Sequence, residues 1–152
     1  MKKSIFLLLL LCFSKAVFSQ EITSTYDEKL AKTLNADDYG MKKYVFCLLK
    51  TGSNTKTKKE ETKKLFEGHM ANINRLAKEG KLVVAGPFMK NERNYRGIYI
   101  FNATTIEEAK EFVATDPAVQ ANLLEAELTL WYGSAALQET LKIHDKIAKN
   151  KI

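Results

Sequence analysis

Tyr44-Val45-Phe46-Cys47-Leu48-Leu49 is an unbroken apolar run of strand length, and it constrains the fold more than any other segment of the chain. A strand with one wet face alternates apolar and polar residues, whereas one that is apolar at successive positions has both faces covered. The run therefore calls for a layered domain with this strand inside a sheet. Within it Cys47 reads as a small buried hydrophobe.

The elements around that strand follow from periodicity and punctuation. Thr25 and Glu28 form a capping box ahead of Leu30 and Leu34, predicting a short helix that ends in the turn Asn35-Ala36-Asp37-Asp38-Tyr39-Gly40. Tyr44 to Lys50 is the first strand. A polar loop opens at Gly52-Ser53-Asn54 and carries Lys56, Lys58, Lys59, Lys63 and Lys64 with Glu60 and Glu61 among them. With no interleaved aromatic residues, it reads as a solvated entry to a helix in preference to a phosphate-binding patch.

From about Glu60 to Glu79 the period is helical, with Phe66, His69, Ile73 and Leu76 on one stripe and Gly80 at the stop. Lys81 to Phe88 is a second strand ended by Gly86-Pro87, and Gly97 to Phe101 a third, hairpin-paired with it. Thr105 and Glu108 cap another helix, which stops near Asp116-Pro117. Leu124 to Tyr132 alternates at the two-residue period of a strand, and Ser134 caps a final helix through Leu137, Leu141 and Ile147.

Strand, helix, strand, strand, helix, strand is the order of a ferredoxin-like βαββαβ fold of the α+β class, one four-stranded antiparallel sheet with two helices on one face. The expected organisation is a leader at 1–19, an N-terminal helical extension at 20–41, the α+β domain at 42–134 and a C-terminal helix at 135–152. Two core helices cover one face of the sheet. The other face must meet the sheet of a second copy, the C-terminal helix or a ligand; a symmetric dimer is the expectation, with the C-terminal helix as the competing cover.

The leader is read from Lys2 and Lys3, the apolar run Ile5 to Phe13, and Ala16-Val17-Phe18-Ser19 before the polar Gln20. This is the pattern of a secretory signal peptide cut near Ser19, too short to span a bilayer. The expected location is secreted or periplasmic, with no membrane span after the cut. Loss of Lys2, Lys3 and Lys15 leaves 21 basic side chains against 18 acidic ones, so the pI near 9.2 does not argue for nucleic acid. Cys12 leaves too, and a single Cys47 provides neither a disulfide nor a sulfur-based metal site. The sequence offers no nucleotide cradle or metal cage, so no cofactor and no metal are expected.

Two readings of His69 stand side by side. On the buried stripe of a helix it is either a core histidine bonded to backbone or a proton-transfer group, for which a carboxylate on the second ring nitrogen would fix the tautomer. Asp116 is the partner of choice, although Asp-Pro is also the natural start of a helical turn. His144 lies on the lysine-rich terminal helix and reads as a surface residue. Arg93 and Arg96 flank the hairpin turn, where they either meet an anionic substrate or are simply solvated. Tyr44, Tyr99 and Trp131 are candidate aromatic walls of a pocket, and Gly86 and Pro87 supply backbone geometry near it.

His69 with Leu76, Gly80 and Leu82, then Ala85-Gly86-Pro87, Gly97, Glu108-Ala109, Asp116-Pro117 and Trp131, resembles the pattern of the YCII-related domain family over roughly residues 44–133. The segments Asp38-Tyr39-Gly40 to Tyr44 and Trp131 to Leu137 resemble a secreted branch of that family. The resemblance implies a dimeric α+β barrel, the fold also used by muconolactone isomerases and small cofactor-free monooxygenases. It also implies a His–Asp pair, here His69 and Asp116, lining a pocket for an unknown small molecule. Some relatives are linked to elimination chemistry on small aromatic compounds. After Asp116-Pro117 the chain departs from the common pattern, with Ala118 where an aromatic residue is frequent and Asn122 where glycine is.

The function expected on these grounds is a cofactor-free elimination or isomerisation of a small cyclic or aromatic compound, with His69 as general acid/base oriented by Asp116. The alternatives are a non-catalytic small-molecule binder and a structural dimer module.

Overall fold

A computed structural model describes residues 25–150. The expected leader at 1–19, Cys12 and the first residues of the N-terminal extension lie outside the described residues.

The chain forms α1 (Glu28–Thr33), β1 (Met41–Thr51), α2 (Lys59–Lys78), β2 (Leu82–Pro87), β3 (Tyr95–Phe101), α3 (Ile106–Val113), α4 (Pro117–Gln120), β4 (Leu124–Ser134) and, after a 3-10 turn at Ala135–Glu139, α5 (Thr140–Ile147). One antiparallel sheet holds the four strands in the order β2-β3-β1-β4, which is the ferredoxin-like arrangement of the α+β class. β1 is central, paired with both β3 and β4.

Local chemistry sets the ends. The α1 cap is Asp27, whose carboxylate accepts the Leu30 amide at 2.9 Å, and not the expected Thr25; the shorter acid lies one residue ahead of the helix, where its oxygen reaches the free amide. Thr105 caps α3 by accepting the Glu108 amide, and Glu108 in return accepts the Thr104 amide. Ser134 caps the 3-10 turn, so the final helix begins later than its first apolar residue suggests.

Alternation along β1 separates two cores. Val45, Cys47 and Leu49 face α2 and α3 together with Leu76, Phe101 and Phe112, and each large buried side chain there contributes roughly 1.5–3 kcal/mol. Tyr44, Val83 and Ile100 form a second cluster on the opposite face, against Leu137 from the 3-10 turn.

The C-terminal segment therefore covers part of the second face, the competing cover named above. Tyr44 donates its hydroxyl proton to the Ser134 carbonyl at 3.1 Å, and Gln138 reaches the Leu34 carbonyl at the end of α1 at 2.7 Å. Lys42 bridges the same region, donating to Asn102 at 2.7 Å and to Gln138 at 3.3 Å. Phe46, Leu48 and Ile98 remain half-buried farther along that face, bordered by the Lys50–Glu127 ion pair. No helix among the described residues is long and apolar enough to cross a membrane.

Candidate functional site

The site is built where α2 crosses the junction between α3 and α4. α3 stops at Val113, and Asp116-Pro117 restarts the chain as the cap and first residue of α4, with Asp116 Oδ1 accepting the Ala118 amide at 2.9 Å. The helix-capping role expected as the bland reading of Asp116 is thus real. It uses one carboxylate oxygen and leaves Oδ2 free to face α2.

Gly68 permits the close approach. A Cβ at that position would stand 3.0 Å from Pro117 Cγ, tighter than ordinary contact. The next residue, His69, then meets the acid: Nδ1 lies 2.7 Å from Asp116 Oδ2. Asp116 is fully buried and His69 nearly so, at 0% and 9% exposure. An ionised carboxylate can only accept, so this contact calls for a ring proton on Nδ1, the tautomer in which Nε2 carries the lone pair. Phe66, one turn earlier, meets the imidazole edge-on at 5.7 Å between ring centres.

Tyr99 from β3 is the third member, and its place in the hydrogen-bond network was missed by sequence reasoning, which weighed it only as an aromatic wall. Its hydroxyl donates to Asp116 Oδ2 at 3.2 Å and lies 3.4 Å from both imidazole nitrogens. Burial, and then the Asp116 carboxylate, push the Tyr99 hydroxyl well above its ordinary range, so it stays a proton donor. Cys47, opposite Tyr99 in the β1–β3 ladder, has its thiol pushed up to about 12 by burial and by Asp116, and remains an inert hydrophobe.

The other expected pocket residues separate from this group. Tyr44 and Trp131 are direct cross-strand neighbours with ring centres 5.9 Å apart, and they lie on the opposite face of the sheet from His69. The reason is parity: Tyr44 is one residue from Val45, which faces the helices, so its side chain must face away. Trp131 folds over the bare backbone of Gly133 on that same face. Neither ring therefore shares a site with His69 and Asp116 within one chain; both belong to the second sheet surface. Gly86 and Pro87 occupy the end of β2, one and two residues past Ala85, the cross-strand neighbour of Tyr99. Arg93 is exposed on the hairpin turn and Arg96 at the start of β3, and His144 is exposed on α5.

A groove of about 710 Å³ runs between α3 and β4, lined by Ile106, Val113 and Leu128 with Lys110 at its side; His69, Asp116 and Tyr99 do not line it. Asn122, at its end, adopts φ 55°, a left-handed conformation that glycine or asparagine accepts most readily. The departure from glycine noted in the sequence is therefore a conformational equivalent.

Taken together, the buried group can hold a proton on His69 Nδ1 and accept another at Nε2, with the charge that results balanced by Asp116. Comparison with known proteins gives two findings. The sequence pattern of the YCII-related domain matches residues 44–131, more than half of the chain. Among solved structures, the chain resembles 5-chloro-2-hydroxyhydroquinone dehydrochlorinase from Burkholderia phenoliruptrix AC1100, in complex with 2,5-dihydroxybenzoquinone, at 18% identity and a TM-score of 0.41, over 57% of this chain and 90% of that one. No curated protein matches the sequence.

Proposed function

The chain belongs to the YCII-related domain family, and we propose that His69 and Asp116 form the acid/base centre of a cofactor-free enzyme acting on a small cyclic or aromatic compound by elimination or isomerisation. The observation that carries the reading is the buried 2.7 Å contact between His69 Nδ1 and Asp116 Oδ2. Both reaction classes need one proton removed, which an isomerisation returns at another atom of the same molecule and an elimination releases to the leaving group or to water. Here Nε2 takes the proton, Asp116 stabilises the imidazolium, and the same nitrogen then gives the proton up to that acceptor. In an elimination the pair of electrons from the broken C–H bond forms the double bond and expels the leaving group as an anion.

The proposal includes a homodimer and a location outside the cytoplasm. The half-buried Phe46, Leu48 and Ile98 support the first, since they are the apolar remainder of the second sheet face. The leader pattern supports the second, and N-terminal sequencing of exported protein should start near Gln20.

Turnover is tested by following a panel of quinols, lactones and halogenated phenols with the mature protein, His69→Ala and Asp116→Asn. Loss of product in both variants is the expected result. Equal binding with no turnover in any of the three would favour the second reading, a non-catalytic binder. That reading draws its support from the large groove, which is separate from His69.

A further inference from the structure

Three contacts between the same two segments follow one another in order. Gly68 meets Pro117, His69 meets Asp116, and Asn72 meets Thr115, so α2 and the α3–α4 junction run past each other in opposite directions. The first of these sets the approach and the second is the proposed acid/base pair. The third is a polar cluster that the mechanism above does not use.

Asn72 lies three residues after His69, one turn along the same face of α2, and is buried at 7% exposure. A buried amide is costly unless its polar atoms are bonded. Its Oδ1 accepts from Arg75 Nη2 at 2.8 Å and faces the Thr115 hydroxyl at 2.9 Å. Arg75 Nη2 also donates to Thr115 Oγ1 at 2.9 Å, while Nη1 is held by Glu79 at 2.9 Å. The Thr115 hydroxyl is within reach of the Phe112 carbonyl as well, at 2.7 Å. Thr115 is thus fixed from three sides.

Position gives this cluster its consequence. Thr115 immediately precedes Asp116, whose own amide is held by the Val113 carbonyl at 3.0 Å. In the three-residue link Ala114-Thr115-Asp116 between α3 and α4, the Ala118 amide and the Tyr99 hydroxyl orient the Asp116 carboxylate, and the hold on Thr115 adds a tie to α2 outside the His69 pair itself. Clamping Thr115 to α2 fixes the carboxylate's height along that helix at the level of His69.

We propose that Asn72, Thr115 and Arg75 form a positioning clasp that holds Asp116 against His69 Nδ1 and thereby keeps the imidazole in its Nδ1-protonated form. The inference rests on the His69–Asp116 reading and extends it to the groups that orient the acid. Asn72 and Thr115 act through Asp116 and need touch no substrate. Hydrogen-bond deletion in the clasp should loosen the orientation of the acid without removing any member of the pair.

The test uses the mature protein labelled with 15N-histidine, with exposed His144 as the internal control. Ring nitrogen shifts report which nitrogen carries the proton, and the exchange of that proton with water reports how well it is held. The wild type should show His69 protonated at Nδ1 with a slowly exchanging proton. Thr115→Val, which keeps the shape and loses the hydroxyl, should give a mixture of both tautomers and faster exchange, whereas Thr115→Ser should restore the wild-type pattern. Arg75→Met alters only the half-exposed end of the clasp and should produce the same change to a smaller extent, which keeps the test available if Thr115→Val does not fold. His144 should not move in any variant. A folded Thr115→Val or Arg75→Met with the wild-type His69 pattern overturns the clasp while leaving the pair intact. A wild type without Nδ1 protonation overturns the pair, and the clasp with it.

Discussion

Tyr99 Oη stands 3.2 Å from Asp116 Oδ2, the oxygen that also lies 2.7 Å from His69 Nδ1. One buried carboxylate oxygen thus faces two donors from two different elements, β3 and α2, while its twin caps α4. Tyr99→Phe keeps the ring and its contact with Phe101, 5.4 Å between centres, and removes only the hydroxyl. The expected cost is about 1.5–3 kcal/mol, the range for a hydrogen bond to a charged group. It should appear as a lower urea midpoint at unchanged slope. A midpoint equal to the wild type would mean that this hydroxyl contributes nothing to holding the acid.

Substitutions at Asp116 separate its two jobs. Asp116→Asn keeps an oxygen for the Ala118 amide and so retains the cap, whereas Asp116→Ala loses the cap and the partner of His69 together. The alanine variant should be the less stable of the two by about 1 kcal/mol, the worth of an N-cap. For turnover the two do not differ. Both should fall alike, by about 100-fold or more, because neither the asparagine amide nor the alanine methyl balances an imidazolium. Equal stability of the two variants in urea melts would show that the cap is not formed.

The chain order of the fold was legible because it rests on local signals: a stripe on α2, an Asp-Pro restart and turn residues between strands; the contact between His69 and Asp116, 47 residues apart, was named only with the help of the family resemblance. The faces of the sheet were not legible. Successive apolar residues in β1 and in Ile98 to Phe101 carry no contrast between one side and the other, so hydrophobicity alone cannot say that Tyr99 points to the helices and Tyr44 away from them. The only discriminating signal lies in the cross-strand register, in which Cys47 opposes Tyr99 and Tyr44 opposes Trp131. Register is decided by pairing partners distant in sequence. The Asn72–Thr115 contact escaped for the same reason, since an Asn on a helix and a Thr after another carry no mark of each other.

Alkaline pH should weaken the protein through its buried acids. The Cys47 thiol rises from an ordinary 9.0 to about 12, and the Tyr44 hydroxyl from 10.0 to about 12, in both cases chiefly by burial. The folded chain therefore keeps protons that the unfolded chain releases, and the associated stability is complete below about pH 9 and lost as pH rises toward 12. Urea midpoints measured from pH 8 to 11 should fall steadily, and Cys47→Ala should make the fall shallower. The same thiol should resist alkylation at pH 8 until urea unfolds the chain. An identical pH slope in wild type and Cys47→Ala would remove the thiol from the account.

Two glycines should respond in opposite ways to alanine. At Gly52 a Cβ would stand 2.1 Å from the Asn122 carbonyl oxygen, where the loop after β1 is tied to the turn before β4 by Gly52 N–H to Leu123 at 2.9 Å. The neighbour is backbone and cannot rotate aside, so Gly52→Ala should cost at least about 2 kcal/mol. At Gly86 nothing lies within 4 Å of a built Cβ, and Gly86→Ala should stay within about 0.5 kcal/mol of wild type. Thermal melts of the two variants side by side decide this. A strongly destabilised Gly86→Ala would show that its backbone is needed for more than space.

The proposed dimer makes its own demand on Leu48. The C-terminal segment shields Tyr44, Val83 and Ile100, so a charge placed among them would damage the monomer itself. Leu48 is different: it lies on the same sheet face, opposite Ile98 on β3 and Glu127 on β4, beyond that cover and only half-buried. In a sheet-on-sheet dimer it would be central, and Leu48→Glu would bury a carboxylate next to Glu127 and its counterpart in the second copy, a charge that an interface core excludes. Light scattering on the mature protein should give twice the chain mass, and Leu48→Glu should give the single mass with unchanged circular dichroism. A wild type that is monomeric at micromolar concentration, or a variant that stays dimeric, would move the partner off this face and leave Phe46, Leu48 and Ile98 to be covered by something other than a second copy.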